Sequence, residues 1–325
     1  MARINKVGRP FLAVLLLLLF AEFPPQAQSQ QSPPIRVTVN RVNVGVTVTD
    51  PTGHFVEGLR REDFQIFDND VEQPITDFLP VEEPAQLLLL IESGPAVLLL
   101  SKNHLLAADA LLTTLAPNDR VAIATYSKNP QLLLDFTSNK VEARAALDNI
   151  NFSNDFADLN LSSSLATLID SLTPIPGKKA IVLLSTGFDS SPPEDPQAIQ
   201  RKLLTSDIRI LAISLTGDFR NPAKKQKKLS PQERSKRAAV QEGFAEADQS
   251  LRDLSALTGG RVYFPTNGEE FRRAYAEIAQ LIRHEYSLAF APPVADNQLH
   301  TLKVKTKGSA YQVDHRQAYQ APPPN

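Results

Sequence analysis

Apolar and polar positions divide the chain into three differently patterned stretches. From Ile35 to Thr49 they alternate, with Val37, Val39, Val42, Val44, Val46 and Val48 among polar neighbours. That is the period-two pattern of a half-buried antiparallel strand or hairpin. Asp50-Pro51-Thr52-Gly53 reads as a turn, Phe64–Phe67 as a short strand, Asp68-Asn69-Asp70 as a second turn and Ile75–Leu79 as the strand after it. Residues 35–80 therefore predict a small β module, bounded by the acidic, proline-stiffened segment Pro80–Pro84.

From Leu87 the period changes. Leu87–Ile91, Val121–Tyr126, Ala180–Leu184 and Ile208–Leu215 are apolar runs without alternation, as in strands buried on both faces. Helical patterns separate them at Leu105–Leu115, Lys140–Asn149, Ser163–Leu172 and Asp195–Ser206. Two more helices are predicted at Ala245–Leu257 and Gly268–His284, with a short strand Arg261–Phe264 between them. In the last helix Phe271, Tyr275, Ile278, Leu281 and Ile282 form a core stripe. Strands alternating with helices of this length predict a doubly wound parallel sheet, whose ligands bind beyond the carboxyl ends of the strands. After His284 the β pattern returns at Tyr286–Phe290, Thr301–Lys305 and Tyr311–Val313, and Ala321–Asn325 reads as a frayed tail.

Charge and composition narrow the compartment and the chemistry. Arg3, Lys6 and Arg9 precede the apolar block Phe11–Phe20, and Pro24-Pro25-Gln-Ala-Gln-Ser follows. This reads as a secretory signal over residues 1–29, cut near Ala27 or Ser29, because the block is short of the ~20 residues that span a bilayer. The expected location is periplasmic or secreted. Leu87–Ile91 and Val97–Leu100, the other dense apolar runs, are interrupted by charge and proline, so no membrane span is predicted in the mature chain. The chain has no cysteine, so stability must come from the core, and thiol catalysis and cysteine-based metal sites are excluded. Of 34 Lys+Arg and 36 Asp+Glu, residues 1–29 hold three bases and one acid, leaving 31 against 35. That acidic balance argues against bulk nucleic-acid binding. One segment departs from it: Arg220–Arg237 carries seven further lysines and arginines after Arg220's neighbour Asn221 with only Glu233 opposing, and reads as a solvated insertion or an anion or acidic-partner contact.

No nucleophile elbow, phosphate loop, dinucleotide fingerprint or zinc-helix motif occurs. The histidines 54, 104, 284, 300 and 315 are scattered, and His284-Glu285 reads as an exposed helix-end pair. Asp63, Asp68 and Asp70 invite a calcium reading, but turn chemistry accounts for them more simply.

Four stretches carry a family resemblance. They are Val46–Asp50 with Gly53, Gly58-Leu59 and Asp63-Phe64; Leu87–Pro95; Ile181–Asp189; and Leu254–Phe264 with Tyr275, Ile278 and Tyr286. In this order they resemble a von Willebrand factor A domain, and more narrowly the exported bacterial, acidobacterial-type VWFA-related family. The resemblance implies a Rossmann-like α/β domain over about 84–284. To this we add the expectation that strands within 286–319 pack with module 35–80 as one β-sandwich.

In A domains the first loop reads D-x-S-x-S and, with a threonine and a later aspartate, holds magnesium, whose open position takes a partner's carboxylate. Here the aspartate position falls on Ile91, the serines on Ser93 and Pro95, and the later aspartate on Thr186. In the third loop Asp158, Asn160 and Ser162 are the nearby oxygen donors. Magnesium wants near-octahedral oxygens including a carboxylate, and Ile91 and Pro95 supply none. Glu92 should not simply replace Ile91, because adjacent strand residues face opposite ways. The metal-ion-dependent adhesion site is therefore read as degenerate, with no metal or other cofactor expected. Glu92, Ser93, Ser185, Thr186 and Asp189 remain as a polar groove at the top of the sheet. The resemblance implies a non-enzymatic module that binds an unidentified protein partner. Its alternatives are a magnesium-dependent adhesion domain with a shifted site, a serine-type hydrolase through Ser93 or Ser185, and a purely structural envelope component.

Overall fold

Leu87–Ile91 lies at the centre of a six-stranded sheet, as the absence of polar alternation requires. The structure is a computed structural model and describes residues 41–94, 108–152, 158–190, 195–217, 230–307 and 310–324. The signal segment 1–29, the first part of module 35–80 and the stretch 220–229 lie outside the described residues.

The strands are β1 (Val42–Thr49), β2 (Phe64–Asp68), β3 (Val71–Gln73), β4 (Ile75–Leu79), β5 (Ala85–Glu92), β6 (Arg120–Tyr126), β7 (Pro130–Thr137), β8 (Lys178–Ser185), β9 (Ile208–Ser214), β10 (Val262–Tyr263), β11 (Glu285–Phe290), β12 (Leu299–Thr306), β13 (Gln312–Asp314) and β14 (Ala318–Gln320). The described helices are α1 (108–114), α2 (Lys140–Asp148), α3 (Leu161–Leu172), α4 (Pro196–Thr205), α5 (Pro231–Leu257) and α6 (Gly268–Arg283). Side-chain caps set several helix starts. Asn139, Asn160, Asp195 and Asn267 each accept backbone N–H groups of the first turn, and Pro196 follows its cap at the first helical position.

The six-stranded sheet has the order β10-β9-β8-β5-β6-β7. Its pairings are parallel except β6–β7, which is antiparallel. The purely parallel sheet expected from the pattern is thus corrected at one edge. Pro130 and the exposed Gln131, Leu132 and Asp135 hid β7, because an edge strand need not be apolar on both faces. Leu87, Leu89 and Ile91 pack with α1, α2 and α6, whereas Leu88 and Leu90 pack with α3, α4 and α5. The sheet is covered on both faces. From β5 the chain runs outward to β6 and β7, then returns to β8 on the other side, so the switch point lies between β5 and β8.

Strands from both ends of the chain build two further four-stranded sheets, ordered β13-β1-β11-β4 and β14-β12-β2-β3. One apolar cluster joins Val44, Val46, Tyr286, Leu288 and Phe290 of the first to Ile66, Leu302, Val304 and Tyr319 of the second. At the β2–β3 turn Asn69 and Asp70 have φ of 46° and 64°, the left-handed pair that a two-residue hairpin needs.

Several sequence expectations are corrected here. The basic stretch is not an insertion throughout, since the backbone of 231–237 begins the 27-residue helix α5. The tail is not frayed at its start: Ala321 is buried and its N–H donates to the Gln298 carbonyl. His284 and Glu285 are not an exposed pair. His284 stacks on Phe55 at 4.4 Å and pairs with Glu57, while Glu285 is buried against Arg209. Asp63, Asp68 and Asp70 do not converge, and among the described residues no group of three or more His, Asp or Glu is arranged to hold a metal.

Asp68 is instead buried against His300, whose Nδ1 lies 2.7 Å from its Oδ1, with Asp296 at 3.2 Å from Nε2 and the Tyr319 hydroxyl at 3.3 Å. Burial alone would lower the His300 pKa, but the hydrogen bonds and charges of Asp68 and Asp296 outweigh it, and the net direction is upward. The stabilisation is complete below the ordinary value of 6.5 and is lost as pH rises through the raised folded-state pKa. His300→Asn is therefore expected to lower the unfolding midpoint most in mildly acidic buffer, with a deficit that shrinks toward alkaline pH. Thermal melts across pH check it; a deficit independent of pH would refute it.

Candidate functional site

β5, β6 and β8 end side by side, and their last residues place the site. Strand alternation sends Ile91 into the apolar cluster under α1, α2 and α6. Glu92 follows on the other face and turns its carboxyl across the gap between β5 and β8. Its Oε2 accepts the backbone N–H of Thr186 at 2.8 Å and the Thr186 hydroxyl at 2.8 Å. The Ser185 and Tyr126 hydroxyls approach the same oxygen at 3.2 Å each. Tyr126 and Ser185 are themselves joined at 2.6 Å, and Gly187 N–H donates to Ser185 Oγ at 2.8 Å.

This knot is dry. Glu92 and Ser185 are 0% exposed, Tyr126 1% and Thr186 3%. Glu92 Oε1 has no hydrogen-bond partner among the described residues and lies on the side of Gly94, where an added Cβ would come within 3.5 Å of it. Burial raises the Glu92 pKa, and the hydrogen bonds from Thr186, Tyr126 and Ser185 offset only part of that rise. Burial and then the neighbouring Glu92 charge push the Tyr126 phenol far upward, so it stays a neutral donor.

The five residues singled out from the sequence thus occupy different positions. Glu92, Ser185 and Thr186 meet directly, but beneath the surface rather than along an open groove, drawn together at Glu92 Oε2. Ser93 is half-buried and bonds the Tyr126 carbonyl through both its N–H and its hydroxyl, at 2.8 and 3.0 Å. Asp189 lies outside the knot at the start of α3, where its Oδ2 accepts the Ser162 N–H at 2.9 Å. A carboxylate there suits the positive end of the helix. Ser190 and Leu159 exchange hydrogen bonds beside it, which fastens the β8–α4 loop to the loop before α3. Asn160 caps α3, so the third-loop oxygens serve the helix start. Pro95 lies outside the described residues.

These groups do not fit a magnesium ion. One carboxyl, that of Glu92, turns inward, its Oε2 is taken up by Thr186, Ser185 and Tyr126, and Ile91 is buried in the core. Ser185 is bonded to Tyr126, Glu92 and Gly187, and none of these partners is a histidine.

A second polar knot, missed by sequence reasoning, lies one strand away. Asp248 of α5 is buried and accepts the Thr216 hydroxyl at 2.9 Å and the Ser214 hydroxyl at 3.2 Å at the end of β9. The signal was an aspartate in step with the helix stripe Ala247, Leu251 and Leu254. Gly187 lets α5 approach: its φ is +79°, and a Cβ would meet the Ala247 carbonyl at 2.4 Å.

No protein-family model matches the chain, and no curated protein matches it either. Among solved structures, an aerotolerance-related membrane protein from Bacteroides fragilis, carrying multiple mutations to serines, aligns at 16% identity and a TM-score of 0.43 over 61% of this chain and 98% of its own. BatB from Bacteroides thetaiotaomicron aligns at 14% and 0.41 over 61% and 98%. A von Willebrand factor type A protein from Catenulispora acidiphila aligns at 10% and 0.45 over 80% and 73%. Identities and TM-scores of this size transfer neither activity nor ligand.

Proposed function

We propose that residues 84–284 are a von Willebrand factor A-like domain that works as a non-enzymatic protein-binding module without a metal. The observation that carries this reading is the Glu92 knot at the switch point between β5 and β8. At the place where an A domain would present metal-held oxygens, the carboxyl is occupied by Thr186, Ser185 and Tyr126. Ser93 and Asp189, half-buried at the rim of the knot, are the members of the set nearest the surface. The two four-stranded sheets are proposed to form one β-sandwich from module 35–80 and strands 286–319, with the A-like domain carried between its halves. The proposed location is periplasmic or secreted, after cleavage of residues 1–29. Among the described residues no helix is long and apolar enough to cross a membrane.

Magnesium titration by calorimetry tests the metal-free reading. The expected result is no saturable heat. Saturable heat that is abolished by Glu92→Ala or Asp189→Ala would establish the alternative, a magnesium-dependent domain with a shifted site. For the hydrolase alternative, labelling of Ser93 or Ser185 by a fluorophosphonate probe would be the supporting result; none is expected.

A further inference from the structure

On the flank of the six-stranded sheet, α4 and α5 separate to leave a groove of about 880 Å3. It runs from Asp189 at the carboxyl edge down to Ala318 at the start of β14. Residues 246–257 of α5 form one wall, a length of about 16 Å at the helical rise. Its floor is aliphatic, made by Ile199 and Leu204 from α4 and Leu254 and Leu257 from α5. Its charged lining is of one sign: Asp189, Glu246 and Asp253 border it, and no lysine or arginine does among the described lining residues. The chain as a whole is nearly balanced, with a formal charge of −2, so the excess of carboxylates over bases among the described lining residues is a local feature.

We infer that this groove docks a basic segment of a partner protein, which sets aliphatic side chains on the Ile199–Leu204–Leu254–Leu257 floor and directs lysines or arginines at Glu246, Asp253 and Asp189. The complementarity is specific in both parts. An acidic segment would meet repulsion along the whole wall, and a basic segment without aliphatic side chains would leave the floor uncovered. The groove shares only Asp189 with the set at the top of the sheet, so this inference stands whether or not the Glu92 region itself contacts a partner.

The test uses the full mature chain and three blocked, fluorescently labelled peptides: alternating leucine and lysine, alternating leucine and glutamate, and alternating serine and lysine. Fluorescence anisotropy should show saturable binding of the leucine–lysine peptide alone. Glu246→Lys combined with Asp253→Lys should weaken it by about tenfold or more, as reversal of two exposed charges implies. Ile199→Asp should weaken it comparably. The charge-matched pair Glu72→Lys with Glu277→Lys, on other surfaces, should leave it unchanged. Thermal melts confirm that each variant is folded. Failure of the leucine–lysine peptide to saturate would overturn the inference. So would equal affinity for the serine–lysine peptide, or equal loss in the Glu72/Glu277 pair.

Discussion

Glu92→Gln is expected to raise the unfolding midpoint above wild type at neutral pH, whereas Glu92→Ala should cost about 3 kcal/mol or more. The alanine variant opens a cavity and leaves the Thr186 N–H and hydroxyl, and one of the mutually bonded Ser185 and Tyr126 hydroxyls, without their acceptor, and each buried donor so stranded costs about 1–3 kcal/mol. Glutamine keeps the shape and the accepting oxygen but has no charge to bury. The sign follows from the direction of the shift. Burial raises the folded-state pKa above the ordinary 4.5, so the folded protein holds a proton that the unfolded chain has released. Stability therefore falls as pH climbs from 4.5 through the folded-state value. The advantage of glutamine should open above that lower limit and close below it. Melts of the three proteins across pH measure this; a glutamine variant less stable than wild type at neutral pH would mean that an ionised Glu92 holds the knot.

The second large effect is expected at the opposite end of the sheet. Arg209 on β9 donates to Glu285 Oε2 at 2.7 Å and to the Gly259 carbonyl at 2.8 Å, with side chains only 4% and 10% exposed for the pair. Gly45 makes room for that carboxylate, since a Cβ there would lie 2.8 Å from Glu285 Oε2. Lys178 reaches the Val81 and Glu285 carbonyls, and Arg316 the Ser206 and Asn43 carbonyls. Together these buried cations fasten the α/β sheet to the β1–β11 pair. Arg209→Ala should lose about 3–5 kcal/mol in denaturant unfolding, because it strands the Glu285 charge. Arg209→Ala with Glu285→Ala should lose less than the sum of the single changes. Strict additivity would show that the pair is not coupled.

The parts of this architecture that were legible in the sequence are those with a strong local cause. Leu87–Ile91 and Ile208–Leu215 read as doubly buried strands because no polar residue interrupts them, and the stripe from Phe271 to Ile282 read as a core helix because it keeps helical period. β7, β3 and β14 escaped because short or half-exposed edge strands carry little periodic signal. The long-range polar contacts escaped for a different reason. Glu92 and Thr186 are 94 residues apart, and Arg209 and Glu285 are 76 apart. Alternation correctly separated Ile91 from Glu92, yet the local pattern gave no sign that a carboxyl would lean across to the next strand. Charged residues at strand ends such as Lys178 and Arg209 resemble solvated termini until the second layer that covers them is known.

The central claim is that the buried Glu92 carboxyl, its pKa raised by burial, closes the carboxyl edge of the sheet through its bonds to Thr186, Ser185 and Tyr126. A carbon-detected NMR titration of the glutamate side-chain carboxyls, with Glu92→Gln identifying the resonance, tests it most directly. The Glu92 carbon is expected to titrate above 4.5, on a curve that added magnesium leaves in place. Titration at or below that value, or a curve that magnesium drives downward, would contradict it.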